Sequence, residues 1–132
     1  MRPSDLSPRT HALIVEALQE AGLPKGVLNV LSNAPDDAHE IVEALIHHSA
    51  VRRVNFTGST RVGKLLTQYA GESNLKRTFM ECGGKSANIV FADAGDLDKV
   101  AKEADQAIFF TQGEVCIAGS RLLVENRIRE EL

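Results

Sequence analysis

The 132-residue chain is 43% hydrophobic and 25% charged with 10 Gly and 4 Pro, the composition of a globular protein rather than a disordered or low-complexity one. Lys and Arg number 15 against 18 Asp and Glu, so the net charge of −3 provides no overall basic field for nucleic acid or anionic lipid. No apolar run reaches the ~18 residues of a membrane span and no signal-peptide pattern opens the chain, which makes the cytoplasm the expected location.

In chain order, residues 7–22 read as a helix: Ser7 can cap it, Pro8 suits its first turn, and Gly22 with Pro24 stops it. Leu13, Ile14, Ala17, Leu18 and Ala21 share one face of that helix. Residues 26–31 then read as a buried strand. From Pro35 the pattern is helical again, with Ile41, Val42, Leu45 and Ile46 as the apolar stripe and Asp36 and Asp37 at the positive end of the dipole. A strand is expected over 51–56, then a turn at 57–60, then a helix carrying Val62, Leu65, Leu66 and Tyr69 and ending near Gly71. Such alternation predicts an α/β fold with a mainly parallel sheet.

Beyond it, strands are expected over 77–81 and 86–91, separated by a Gly83-Gly84 turn. Asp96 can cap a helix bearing Val100, Ala104, Ala107 and Ile108 that ends near Phe110; Leu122 to Val124 reads as a last strand, and the chain stops at Leu132 in an apparent helix start. The change of rhythm suggests a boundary near residue 80.

Three stretches carry candidate chemistry. Gly58-Ser59-Thr60-Arg61-Val62-Gly63-Lys64 nearly matches a phosphate-binding loop, but Leu65 replaces the hydroxyl that would bind magnesium, which argues against the NTPase reading. A helix N-terminus able to hold a diphosphate without metal, or an ordinary turn of small residues, both remain open. Glu81, before Cys82-Gly83-Gly84-Lys85-Ser86, is either a general base at a strand end or a solvated carboxylate. Cys116 lies in a loop flanked by Gly113 and Gly119, where a thiol can meet substrate while backbone N–H groups face an oxyanion; a lone Cys without a His partner is otherwise structural. Cys82 and Cys116 form no CxxC and have no His at ligand spacing, so neither a zinc site nor a disulfide scaffold is supported. His11, His39, His47 and His48 sit on helices or their ends and read as surface residues.

Taken in order and spacing, residues 56–60, 81–86 and 112–116 resemble the signatures of the aldehyde dehydrogenase superfamily, and the resemblance runs from Arg2 to Glu125. It implies a fragment of the aldehyde dehydrogenase fold, Rossmann-like, with residues 1–80 ending the coenzyme-binding domain and 81–132 beginning the catalytic domain. It also implies NAD(P)-dependent oxidation of an aldehyde to a carboxylic acid. Cys116 is then the nucleophile that forms a thiohemiacetal and a thioester, and Glu81 activates the water that releases the acid. Gly58 and Ser59 would contact the diphosphate, with Arg2 and Asp5 at the adenosine ribose. An acidic Asp5 favours NAD, with NADP as the other possible coenzyme.

Four positions depart from the family pattern: Arg2 stands where Lys is usual, residues 32–37 lack glycines, Cys82 replaces an aliphatic residue, and Gly95 reads as an insertion. The resemblance implies an aldehyde substrate, the remaining segments of a full-length dehydrogenase and a homo-oligomer as partners, with no nucleic acid and no membrane. Family members are much longer, so the isolated chain is expected to be incomplete and inactive. The competing reading is a folded fragment acting as a noncatalytic nucleotide- or protein-binding module.

Overall fold

A computed structural model describes residues 1–132. The helices are α1 (Pro8–Glu20), α2 (Ala38–His47), α3 (Thr60–Glu72) and α4 (Leu97–Phe109); the strands are β1 (Arg53–Gly58), β2 (Arg77–Cys82), β3 (Ala87–Val90) and β4 (Arg121–Val124). The α/β class expected from the alternation is present. The strands pair two by two, β1 with β2 and β3 with β4. By packing, the chain divides into one unit of Met1–Val54 and Gln68–Arg77 and another of Asn55–Thr67 and Thr78–Leu132.

In the first unit, α1 begins with Pro8 in its first turn and ends before Gly22, whose φ of +93° is a left-handed turn that favours glycine. Ser7 occupies the cap position but makes no side-chain capping bond, contrary to expectation; its carbonyl instead lies 2.9 Å from His11 Nδ1. Of α1 only Val15 is buried, while the stripe residues Leu13, Ile14 and Leu18 are exposed. The expected strand at 26–31 does not form. A strand needs a continuous ladder opposite, and here the only such pairing is with Met1, whose amine donates to Asn29 O (2.6 Å) and whose carbonyl accepts from Leu31 N (3.0 Å). Asn29 also turns its amide back onto Gly26 O at 3.0 Å, which closes the segment locally.

The core of this unit gathers Val15, Ile46 and Ala70. Lys76 is buried with them, 7% exposed, and its ammonium is satisfied by Ile46 O and by Ser73 Oγ, the latter at 2.7 Å. The Asn74 amide donates to Ser49 O (3.0 Å) and Val51 O (3.3 Å), tying down the connection from α2 to β1. Tyr69 Oη meets His39 Nε2 at 3.1 Å; loss of solvent around the ring, then Glu43 and Glu72, push the phenol above its usual pKa.

In the second unit, β3 and β4 run parallel in the register Ala87↔Arg121 to Val90↔Val124, joined through α4 as a β-α-β unit. Asp96 caps α4 as expected, its carboxylate accepting from Lys99 N at 3.2 Å. Leu66, Val90, Ala118 and Ile128 are the buried apolar residues of this unit. The end of the chain, where a helix start was expected, is a run of turns, with Ile128 N on Glu125 O and Leu132 N on Ile128 O, both at 3.1 Å. No helix is long and apolar enough to cross a membrane.

Large apolar side chains on α1, around Phe109 and Phe110, and on β4 stay exposed, and with two-stranded sheets every strand has an open edge. The isolated 132-residue chain is therefore expected to self-associate. Sedimentation over a rising concentration series checks this, and a monomer that binds no hydrophobic dye at the highest concentration would contradict it.

Candidate active site

The polypeptide that carries Cys116 is aimed by local backbone geometry. After α4 ends at Phe109, Thr111, Gln112 and Gly113 adopt left-handed φ values of 49°, 61° and 77° in succession, which reverse the chain. At the last of these a side chain is disfavoured by the positive φ and crowded as well, since a Cβ on Gly113 would lie 3.2 Å from Ile108 O. The chain then closes a turn in which Ala118 N donates to Val115 O at 3.0 Å, with Cys116 and Ile117 at its tip.

That tip projects while its base is fixed. Ala118 is buried, and Gly119 donates to Ala107 O (3.3 Å) and lies close against Asn88, whose Cβ would be 3.1 Å from a Cβ there. Cys116 is exposed and its thiol is free. Its side chain makes no hydrogen bond, and the N–H groups of Cys116 and Ile117 donate to no protein acceptor. A carbonyl oxygen reaching this tip would find two unused donors beside a nucleophile.

Glu81 is the penultimate residue of β2, exposed and without an ion pair, on the face opposite the half-buried Thr78, Met80 and Cys82. The loop that follows it, residues 83–86, is held at its far end by Arg121, which donates from its backbone N to Ser86 O (3.1 Å) and from Nε to Lys85 O (2.9 Å). No hydrogen bond joins Glu81 to Cys116.

At the start of α3, Ser59 is the cap: its Oγ accepts from Val62 N at 3.3 Å and its carbonyl from Gly63 N at 2.9 Å. The Thr60 and Arg61 N–H groups have no protein partner, so this end of a 13-residue helix presents free donors at the positive end of its dipole. Gly58, just before the cap, is a glycine for a reason internal to β1. A Cβ there would lie 2.5 Å from Cζ of Phe56.

Arg2 and Asp5 are brought together separately. Arg2 Nη2 lies 3.7 Å from Asp5 Oδ1, and Arg2 Nε donates to Asn33 Oδ1 at 2.8 Å. Arg2 Nη2 is buried and, beyond its ion pair with Asp5, has no hydrogen-bond partner. Sequence reasoning assigned no role to Asn33 or Arg121, and it placed Phe56 in a strand and a signature without a role of its own. Phe56 had a signal, being two residues before Gly58 and so on the same face of the strand; the contacts of Asn33 and Arg121 are long-range and had none.

The whole chain, residues 1–132, matches the aldehyde dehydrogenase family. It is 49% identical over 131 residues to the NADP/NAD-dependent aldehyde dehydrogenase PuuC of Escherichia coli, a match covering 99% of this chain and 26% of that protein. It is 50% identical over 128 residues to a salicylaldehyde dehydrogenase of Pseudomonas putida, covering 97% of this chain and 26% of that one. Among solved structures, a Pseudomonas putida salicylaldehyde dehydrogenase complexed with salicylaldehyde superposes with a TM-score of 0.92 at 48% identity, over 98% of this chain and 26% of that one. An indole-3-acetaldehyde dehydrogenase in complex with NAD+ gives a TM-score of 0.90 at 54% identity, over 98% and 26% of the two chains. The chain belongs to the aldehyde dehydrogenase family. It spans about a quarter of the length of the curated relatives it matches.

Proposed function

We propose that this chain is a segment of an NAD(P)-dependent aldehyde dehydrogenase, with residues 1–80 in its coenzyme-binding part and 81–132 opening its catalytic part. The observation that carries the reading is the Val115–Ala118 turn, which exposes a free thiol beside two unused N–H donors in a chain of this family. Two free thiols also suit a reducing compartment, in keeping with the cytoplasm.

On this reading the Cys116 thiolate attacks the aldehyde carbon, and the Cys116 N–H holds the oxygen as negative charge develops on it. The thiohemiacetal loses hydride to leave a thioester on Sγ. Glu81 takes a proton from the water that cleaves this thioester, releasing the carboxylic acid and the thiol. In one unit, Ser59 positions the free Thr60 and Arg61 donors toward the diphosphate of a coenzyme. In the other, the Asp5 carboxylate, with Arg2 beside it, offers an acceptor to ribose hydroxyls. NAD, or NADP in its place, supplies the hydride acceptor when bound. Gly58 contributes by letting the chain leave β1 under the Phe56 ring. The working assembly is a homo-oligomer of the full-length chain.

Brief treatment of the 132-residue chain with iodoacetamide, read by mass spectrometry, tests the central residue. Cys116 is expected to be alkylated before Cys82, which is half-buried. Labelling of Cys82 first in folded protein would overturn the assignment. In the full-length protein, NADH absorbance on adding coenzyme and an aldehyde separates the enzyme from a noncatalytic binding module, which would bind coenzyme and produce no NADH.

A further inference from the structure

A second use of the same stretch follows from how β2 meets α3. Along β2 exposure alternates, so Cys82 turns inward where Glu81, one residue earlier, turns outward. The inward side chain lands on a bare patch of α3. A Cβ added at Gly63, a buried position one turn into the helix, would lie 2.9 Å from Cys82 Sγ and 3.8 Å from two carbons of the Phe56 ring. That same ring occupies the space where a Gly58 Cβ would stand, 2.5 Å from its Cζ. Phe56, Gly58, Gly63 and Cys82 thus form one close-packed set, in which two missing side chains admit one aromatic ring and one sulfur.

We propose that Cys82 is a positioning residue: its thiol, seated on Gly63, fixes the end of β2 and so the placement of Glu81 relative to the start of α3. The inference rests on the dehydrogenase reading and deepens it. Cys82 does not touch the substrate in this proposal, and its sulfur is used for its size rather than its reactivity. A seat this tight transmits displacement, because filled interiors respond to one added methyl group by shifting a neighbour. The atom in the way is Cys82 Sγ, 2.9 Å off, on the last residue of β2 and next to Glu81, which is expected to move with it.

Two measurements separate the packing from its catalytic consequence. In the 132-residue chain, Gly63→Ala is expected to drive Sγ out of its seat and raise the alkylation rate of Cys82 several-fold relative to Cys116. An unchanged ratio would overturn the wedge itself, with no reference to catalysis. In the full-length dehydrogenase, Gly63→Ala is expected to slow steady turnover roughly tenfold or more while the first-turnover burst of NADH is kept, since displacement of a catalytic group by about 1 Å costs up to ~10²-fold. Gly63→Ala combined with Cys82→Ala makes room again and is expected to restore most of that loss, a coupling that independent sites would not show. Retained turnover in Gly63→Ala, equal loss of burst and turnover, or a double variant as slow as the single would each overturn the proposal. If Gly63→Ala does not fold, Cys82→Ala carries the test: it empties the seat, and turnover reduced below the burst rate is expected, whereas both rates unchanged would overturn it. If the parent forms no NADH with any aldehyde, the dehydrogenase reading fails, while the labelling ratio still decides the wedge.

Discussion

Cys116→Ser in the full-length dehydrogenase is expected to abolish hydride transfer, on the order of 10⁴-fold or more, as removal of a covalent nucleophile does in other enzymes. An alcohol at neutral pH is a far poorer nucleophile than a thiolate, and no base is hydrogen-bonded to the side chain of residue 116. Glu81→Gln should behave differently. It keeps the shape of the side chain at the end of β2 and removes the base, so steady turnover is expected to fall by roughly 10²–10⁴-fold. One equivalent of NADH still forms in the first turnover, after which the enzyme stalls as the thioester. Stopped-flow absorbance distinguishes the pair: a burst in Glu81→Gln and none in Cys116→Ser. Turnover by Cys116→Ser near the parental rate would sink the mechanism. Loss of the burst in Glu81→Gln would move Glu81 earlier, to deprotonation of the thiol, in line with the absence of any other base on Cys116.

The second large effect is expected at the coenzyme end. Gly58→Val places a Cβ in space now held by the Phe56 ring, 2.5 Å from Cζ and 3.1 and 3.2 Å from the two Cε atoms. Because Gly58 immediately precedes the Ser59 cap, the strain is relieved by moving the ring or by moving the start of α3. The second outcome re-aims the free Thr60 and Arg61 donors. KM for the coenzyme is therefore expected to rise roughly tenfold or more, with kcat for the aldehyde changed less, since misplacing a binding group by ~1 Å costs up to 10²-fold. Coenzyme titration and steady-state kinetics check this; an unchanged KM would show that the Phe56 ring gives way and the start of α3 stays in place. Ser59→Ala gives a milder comparison, costing about 1 kcal/mol of helix stability through loss of its bond to Val62 N.

How far the candidate site was legible in the sequence differs from residue to residue. Cys116 could be singled out because glycines three residues to either side mark a loop where chain reversal is cheap, and the structure has a turn there. What the pattern could not show is that its base is anchored by Ala118 and by Gly119 against Asn88, a residue far back in the chain. Glu81 was legible as the end of a strand, not as the outward neighbour of a sulfur seated on α3. Ser59 was legible as the cap of α3, and its bond to Val62 N is present; Ser7 had the same local credentials and makes no such bond. Capping propensity is local, whereas whether the side chain is used depends on the φ and ψ the surrounding chain imposes.

The sequence by itself determined the elements whose signals are local: the helices at 8–20, 38–47, 60–72 and 97–109, the strands of the second unit, and the Asp96 cap, since periodicity and capping act within one or two turns. It also determined the family, because three ordered motifs sit inside a resemblance that runs from Arg2 to Glu125. The tertiary structure decided what local pattern cannot. Residues 26–31 carry a strand's composition but meet only Met1, so no ladder forms; the apolar stripe of α1 is a helix face whether or not anything covers it. Strand pairing and burial depend on a partner distant in the chain, and no single segment encodes whether that partner is there.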